Sequence, residues 1–216
     1  MVKNLDKRIY EFDLVVYGAT VGGIAAGIQA TRMGKSAVII EPSQYIGGLT
    51  SSGLGATDIG NKAAIGGISR EFYQSIKVHY ADPSAWVWQM SDEFKSSRQD
   101  GQGMDAMWTF EPKVAEQILS HFVQKVGVSL FLNSRLDRKN GVIKQKHSIL
   151  EIRLENEIVF RGKQFIDATY EGDLMATAGV SYIVGREANA KYNETLNGVQ
   201  IQKATKHQLQ PGIDPY

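Results

Sequence analysis

A glycine turn set between an apolar run and a helical run, with an acidic residue one strand later, constrains this chain more than any other feature. Asp13-Leu-Val-Val-Tyr17 is a short apolar run that ends at Gly18, the pattern of a buried parallel strand. Beyond it Ile24, Ala25, Ile28 and Ala30 recur at helical spacing from Gly22 to Arg32, and Met33-Gly34 closes the segment. Ser36-Ala-Val-Ile-Ile40 is a second buried strand, ended by Glu41-Pro42. Strand, helix and strand make a βαβ unit of roughly 30 residues, the size a right-handed crossover needs.

The turn itself reads Gly18, Ala19, Thr20, Val21, Gly22, Gly23. Against the dinucleotide pattern G-x-G-x-x-G, Gly18 and Gly23 match and Thr20 replaces the middle glycine. Gly18 lets the chain leave the strand sharply, and Gly23 lets helix and strand backbones touch. The helix N-terminus offers free amides and partial positive charge to a pyrophosphate. Glu41 stands 23 residues after Gly18, where a carboxylate accepts hydrogen bonds from ribose hydroxyls and repels a 2′-phosphate, so NADP is not the expected occupant. Thr20 is the weak point, because a β-branched residue resists positive φ. Its hydroxyl is expected to donate to the pyrophosphate instead. A tightly packed βα turn without a ligand is the competing reading.

The rest of the chain continues an α/β pattern. Residues 42–67 are a glycine- and serine-rich loop. Ile68 to Tyr80 reads as a helix, and residues 81–103 as irregular chain or short surface helices. Glu111-Pro112 opens a helix whose apolar face is Val114, Ile118, Leu119 and Phe122, with Gly127 as its C-cap. Val128 to Leu132 is a strand. Val142 to Lys146, Ser148 to Leu154 and Glu157 to Arg161 read as an antiparallel meander with turns at Asn140-Gly141 and Asn156. Lys163 to Ile166 returns as a separate strand. The expected fold is an α/β Rossmann-like FAD/NAD(P)-binding domain with a parallel sheet, a small β-meander and a helical insertion. The expected regions are a βαβ core with its loop (1–67), a mainly helical insertion (68–111), the remainder of the binding domain (112–187), and the start of an incomplete second region (188–216). The last stretch closes on Gln210-Pro-Gly-Ile-Asp-Pro-Tyr216 without a terminating element, and a truncated chain is expected.

Composition narrows the chemistry. The chain has no cysteine, which removes disulfides, thiolate zinc sites, iron–sulfur clusters and Cys-x-x-Cys redox pairs. Redox chemistry would have to come from a bound organic cofactor. The net charge of +1 gives no electrostatic case for nucleic acid or an anionic membrane as a partner, and no run of about 18 apolar residues is present to span a bilayer. A cytoplasmic location is the default expectation. No metal site is expected, since the four histidines lack ligand spacing.

Longer motifs sharpen this picture. Val15-Val-Tyr-Gly-Ala-Thr20, Glu41-Pro42-Ser43, Ile46-Gly-Gly-Leu-Thr-Ser51, Gly55-Ala-Thr-Asp58, Ala64-Ile-Gly-Gly-Ile-Ser-Arg-Glu-Phe-Tyr73, Trp108-Thr-Phe-Glu-Pro112 and Phe165-Ile-Asp-Ala-Thr-Tyr-Glu-Gly-Asp-Leu174 together resemble the FAD-dependent oxidoreductases of glutathione-reductase-like fold, some bacterial members of which carry the label xanthan lyase. The resemblance covers nearly the whole chain. It implies FAD as cofactor, with Pro42 and Ser43 beside the ribose-binding Glu41. It implies a Gly47-Gly48-Leu49 segment passing near the pyrophosphate and flavin, with Thr50 and Ser51 as hydroxyl donors. It further implies backbone contact from Leu136 to the adenine edge, and closure over the adenosine half by the turn Asp167-Ala168-Thr169. Ser and Thr beside glycine also serve simply to stabilise turns, and Asp173 is a candidate cap for a helix near Leu174. The resemblance implies a later segment that completes the site at the flavin ring, and that segment is expected to lie outside these residues.

The expected function is hydride transfer between flavin and an unknown small organic substrate, with the catalytic residues unassigned. Trp86, Trp88, Trp108, Tyr73 and Tyr80 line either a substrate cleft or a satellite core. Arg70 and Glu71 form either an acid–anion pair near the flavin or an exposed helical pair, and Asp58 is a weak candidate beside the ring. A non-catalytic or truncated dinucleotide-binding module is the alternative. A polysaccharide lyase is a weaker one, because no Tyr, His and Arg arrangement suited to proton abstraction beside a uronate carboxylate is evident.

Overall fold

The computed structural model describes residues 8–56, 59–99 and 103–195. Two compact units divide the chain, Met1–Val180 and Ser181–Tyr216. Of the second, the described part carries one short helix, Asn189–Tyr192.

The first unit is built on a six-stranded sheet. In chain order its strands are β1 (Ile9–Tyr17), β2 (Ala37–Ile40), β3 (Ser129–Phe131), β4 (Val142–Gln145), β5 (Ser148–Arg153) and β6 (Val159–Asp167). They lie in the spatial order β3-β2-β1-β6-β5-β4. The first four neighbours pair parallel, and β5 and β4 continue antiparallel. The helices are α1 (Val21–Arg32), α2 (Gly67–Tyr80), α3 (Pro112–Val126) and α4 (Asp173–Thr177). The mixed α/β architecture and its Rossmann-like core are those read from the sequence.

Side-chain alternation decides the two faces of the sheet. Val16 of β1 and Ile39 of β2 point to the helices and join Ile24 and Ile28 of α1, Ile76 of α2, and Val114, Leu119 and Val123 of α3. Val15, Tyr17, Val38 and Ile40 point the other way, into a cluster with Leu136, Ile152, Leu154, Phe160 and Leu174. Tyr10, Phe131 and Phe160 meet there edge-to-face and stacked, with ring centroids 4.9–5.5 Å apart. Burying each such aliphatic side chain stabilises the fold by about 1.5–3 kcal/mol.

The structure corrects one expectation about the strands. The segments Glu157 to Arg161 and Lys163 to Ile166 are not separate strands but the single strand β6, which pairs with β5 through its first half and with β1 along its length. Gly162 does not break it: the missing side chain leaves room for Val15 of the neighbouring strand, which a Cβ would meet at 2.8 Å. The β4–β5 connection is a tight hairpin at Lys146-His147, with Lys146 at φ 55. The aromatic-rich insertion after α2 carries only short 3-10 turns, Pro83–Ala85 and Ser97–Gln99.

The order of strands also fixes where a ligand can bind. From β1 the chain moves outward to β2 and β3, then returns to the other side of β1 as β6. The carboxyl ends of β1 and β6 lie side by side, with Tyr17 opposite Asp167. Reversal of winding direction at such a point leaves a crevice beyond the strand ends.

Candidate functional site

A cleft of about 730 Å³ opens at that reversal point, within the size range of small-molecule and cofactor sites. Of the residues singled out in the sequence, Gly18, Thr20, Glu41, Pro42, Ser43, Gly48, Leu49, Ser51, Leu136 and Thr169 line it. Ala19, Val21, Gly22, Gly23, Gly47, Thr50 and Ala168 belong to the same turns but are not part of its lining; Ala19, Gly23 and Gly47 are buried, whereas Val21 and Gly22 are exposed.

The turn after β1 is fixed by close backbone contact. Gly18 has φ 106, and a Cβ there would stand 2.7 Å from the Ala168 carbonyl carbon and the Thr169 nitrogen. A Cβ on Gly23 would stand 2.0 Å from the Gly18 carbonyl oxygen. The β1–α1 turn and the Asp167-Ala168-Thr169 turn therefore press together as bare backbone. Hydrogen bonds from the Ala168 amide to the Tyr17 carbonyl (2.7 Å) and from the Thr20 hydroxyl to the Ala168 carbonyl (2.7 Å) lock them.

Thr20 does not act as the sequence suggested. Its backbone is extended, φ −63, so no positive φ is asked of a β-branched residue. Its hydroxyl donates to the Ala168 carbonyl and accepts from the Gly23 amide at 3.4 Å as the N-cap of α1. The hydroxyl proton is thus engaged inside the fold rather than offered to a phosphate. The cap serves one first-turn amide, and the helix itself supplies no partner to the others.

Glu41 holds the mouth of the cleft. One carboxylate oxygen accepts from the Ala19 amide at 2.7 Å, and the other accepts from the Ser43 amide at 2.9 Å. Each oxygen can accept a further bond, and the residue lines the cleft, so ribose hydroxyls can be received without displacing either amide. Ser43 is a turn residue whose hydroxyl exchanges bonds with Tyr45 at 3.2 Å.

The double-glycine segment joins the site through the Gly47 amide, which donates to the Ala19 carbonyl at 2.7 Å. The 3-10 turn Gly48–Thr50 follows. Ser51 is not a free donor: its hydroxyl is turned back to the Ile46 and Gly48 carbonyls. Thr169 is likewise engaged, bonding Asp167 at 2.7 Å and accepting from the Gly172 amide at 2.9 Å. The N-cap of α4 is Gly172 rather than Asp173. Asp167 performs part of that capping, accepting from the Met175 amide at 2.8 Å.

Leu136 departs most from expectation. Its side chain is buried, and its amide donates to the Tyr17 hydroxyl at 3.0 Å, so the amide is not presented directly to a base. Tyr17, Tyr170, Arg135, Arg138 and Glu155 also line the cleft and were missed. A tyrosine at the end of an aliphatic strand looks like core, and the arginines flanking Leu136 look like an ordinary polar loop. Tyr170 crosses from the β6–α4 turn to accept from the Leu49 amide at 2.8 Å.

Several other candidates lie elsewhere. Arg70 pairs with Asp105 and Glu71 makes a bidentate pair with Arg32, at 2.8 and 2.7 Å, so the two do not face each other. Trp108 is fully buried against Tyr73, while Trp86 packs between Tyr80 and Phe94. Tyr80, Trp86 and the exposed Trp88 border a separate cavity of about 300 Å³. Burial pushes the Tyr80 hydroxyl up to about 12, against the lowering effect of the Glu111 amide that donates to it. Asp58 and His207 lie outside the described residues, as do residues 196–216 of the expected second region. Among the described residues no helix is long and apolar enough to cross a membrane.

The donors and acceptors fit the adenosine and pyrophosphate half of a dinucleotide. Gly18, the Thr20 N-cap of α1 and the Glu41 carboxylate face one cleft. A family profile described as FAD dependent oxidoreductase matches residues 13–214. Among solved structures, the L-amino acid deaminase of Proteus vulgaris superimposes with a TM-score of 0.52 at 16% identity, covering 82% of this chain and 58% of its own. A geranylgeranyl bacteriochlorophyll reductase-like protein of Thermoplasma acidophilum gives 0.52 at 18% identity, with 80% and 43% covered. The flavin-dependent brominase Bmp2 gives 0.53 at 17% identity, with 79% and 41% covered. The chain thus spans about half the length of these structures, and the likeness is one of fold. No curated protein matches the sequence significantly.

Proposed function

This chain belongs to the FAD dependent oxidoreductase family, and from that premise we propose that its cleft holds the adenosine diphosphate half of FAD for hydride transfer between the flavin and a small organic substrate. The observation that carries the reading is Glu41. Its carboxylate bridges the end of β2 to the Ala19 amide of the glycine turn while lining the cleft beyond Gly18. That is where a ribose must sit if its pyrophosphate is to meet the N-terminus of α1.

The bound flavin would supply the two-electron chemistry; the chain's own contribution is binding and orientation. Glu41 fixes the ribose, and the Gly18 and Ala168 backbones set how closely the nucleotide can approach. The amides of the first turn of α1 neutralise phosphate charge. The carboxylate also sets selectivity, since a 2′-phosphate placed against it is repelled.

Titration of the protein with FAD, followed by flavin absorbance and calorimetry, tests this. FAD and ADP should compete for one site, FMN should not enter it, and 2′,5′-ADP should bind at least about tenfold more weakly than ADP. Glu41→Gln should weaken FAD by about tenfold or more, as expected for loss of charge-assisted hydrogen bonds. A protein that takes up no FAD, or whose affinity is indifferent to Glu41, refutes the assignment.

A further inference from the structure

We propose that Tyr17 is the group that reads the adenine base: its hydroxyl accepts from the Leu136 amide and donates its own proton to a ring nitrogen of adenine. The inference rests on the FAD reading above and adds a recognition residue to it.

The argument begins with a donor that lacks a receiver. A tyrosine hydroxyl carries one proton to donate and can accept as well. At Tyr17 the accepting side is filled by the Leu136 amide at 3.0 Å. Among the described residues, no acceptor takes the hydroxyl proton. The residue is 1% exposed overall, and a donor left without a partner in such surroundings is unfavourable. The residue lines the cleft together with Gly18, Glu41 and Leu136.

The ring cannot easily turn elsewhere. It is packed with Val15, Val38, Ile40 and Leu174 on the face of the sheet opposite the helices. Burial raises the hydroxyl's pKa; the hydrogen bond from the Leu136 amide acts against this, and the Asp173, Glu41 and Asp167 carboxylates add to the rise. The group therefore stays protonated and remains a donor at neutral pH.

The position suits a base. Tyr17, Glu41, Arg135 and Leu136 line the same cleft, so a base attached to a ribose at Glu41 would have the Ser134–Leu136 segment within the same wall. That segment is tied to Glu41 through the Ser134 amide, which donates to the Glu41 carbonyl at 2.9 Å. The ring nitrogens of adenine available there are acceptors. A fixed, protonated hydroxyl is their complement, and the Leu136 amide acts through it rather than directly.

Calorimetry on the full chain with ADP and its 1-deaza, 3-deaza and 7-deaza analogues tests the proposal, in wild type and in Tyr17→Phe. One of the analogues should bind wild type about tenfold more weakly than ADP, the loss of one hydrogen bond. In Tyr17→Phe that analogue and ADP should bind alike, and ADP itself about tenfold more weakly than to wild type. The proposal falls if all the analogues bind wild type as ADP does, or if the penalty persists in Tyr17→Phe. Should Tyr17→Phe fail to fold, 3-fluorotyrosine placed at position 17 gives a more acidic donor that should tighten ADP but not the discriminating analogue; an unchanged ratio overturns the proposal. Failure of the underlying FAD assignment has its own signature: neither FAD nor ADP then binds wild type.

Discussion

Two adjacent glycines should respond in opposite directions to the same methyl group. Gly22 and Gly23 both lie in the first turn of α1, and neither has positive φ, so alanine meets no backbone strain at either. At Gly22 the nearest atom to an added Cβ is the Thr20 hydroxyl oxygen at 3.7 Å, an ordinary contact. Only the helix preference of alanine over glycine remains, and Gly22→Ala should stabilise by about 0.5–1 kcal/mol. At Gly23 the same Cβ falls 2.0 Å from the Gly18 carbonyl oxygen and 3.0 Å from the Ala168 side chain. Relief requires the end of α1 to move more than about 1 Å away from β1, because non-bonded carbon and oxygen do not approach that closely. That movement separates Ile24 and Ile28, which are fully buried, from the sheet. Overpacking with backbone displacement, together with lost burial, should cost about 3 kcal/mol or more. For a chain of this size each kcal/mol shifts the melting temperature by about 2–4 °C. Thermal unfolding followed by circular dichroism should therefore show Gly22→Ala melting about 1–4 °C higher and Gly23→Ala at least about 6 °C lower. Equal melting temperatures for the two variants, or a larger loss at Gly22, would refute the claim that helix and strand meet as bare backbone.

Thr20→Ser should keep the melting temperature close to wild type, while Thr20→Val should lose about 1–2 kcal/mol, since it removes both the N-cap to Gly23 and the bond to the Ala168 carbonyl; equal stabilities by urea unfolding would contradict the cap. A second expectation concerns acid. Burial of Glu151 pushes its pKa up, but hydrogen bonds from Arg153 and Arg161 outweigh that and leave it net lowered. A carboxylate with a depressed folded pKa stabilises above its unfolded pKa and loses that contribution as pH falls through the folded value. Between about pH 5 and about pH 3, Glu151→Gln should lose less stability than wild type, and parallel pH profiles would rule out the contribution.

Legibility of the fold followed the strength of local pattern. The β1–α1–β2 unit could be read because Val15, Val16, Val38, Ile39 and Ile40 are fully buried and glycine marks the turn. Residues Ile9 to Phe12 could not be placed in β1, because that half is partly exposed and its register comes from pairing with β6, about 150 residues away in sequence. Gly162 suggested a break for a local reason, yet it serves a contact with another strand. Both ends of α3 were readable, from Pro112 at its start to Gly127 in the left-handed conformation at its end, while its buried face is Val114, Ala115, Leu119 and Val123, with Ile118 and Phe122 only partly covered.

The site divides along a different line, and the division has a physical cause. Backbone roles were legible, because a glycine that must approach another backbone leaves its mark in the sequence: Gly18 and Gly23 do what the motif implies. Hydroxyl roles were not. The Thr20 and Ser51 hydroxyls are read from the sequence as donors to the ligand; both residues line the cleft, and their hydroxyls bond carbonyls of the protein's own turns. Short hydroxyl side chains reach only nearby groups, and amides and carbonyls in a glycine-rich turn are the nearest available. Tyrosine has the opposite property, a hydroxyl held far from its own backbone, so its partners are distant in sequence. Tyr17 receives the amide of Leu136, 119 positions later, and Tyr170 that of Leu49, 121 positions earlier. The Glu41 carboxylate, with acceptor capacity to spare, and the Tyr17 hydroxyl, whose accepting side alone is filled, are two groups lining this cleft that local hydrogen bonding does not exhaust.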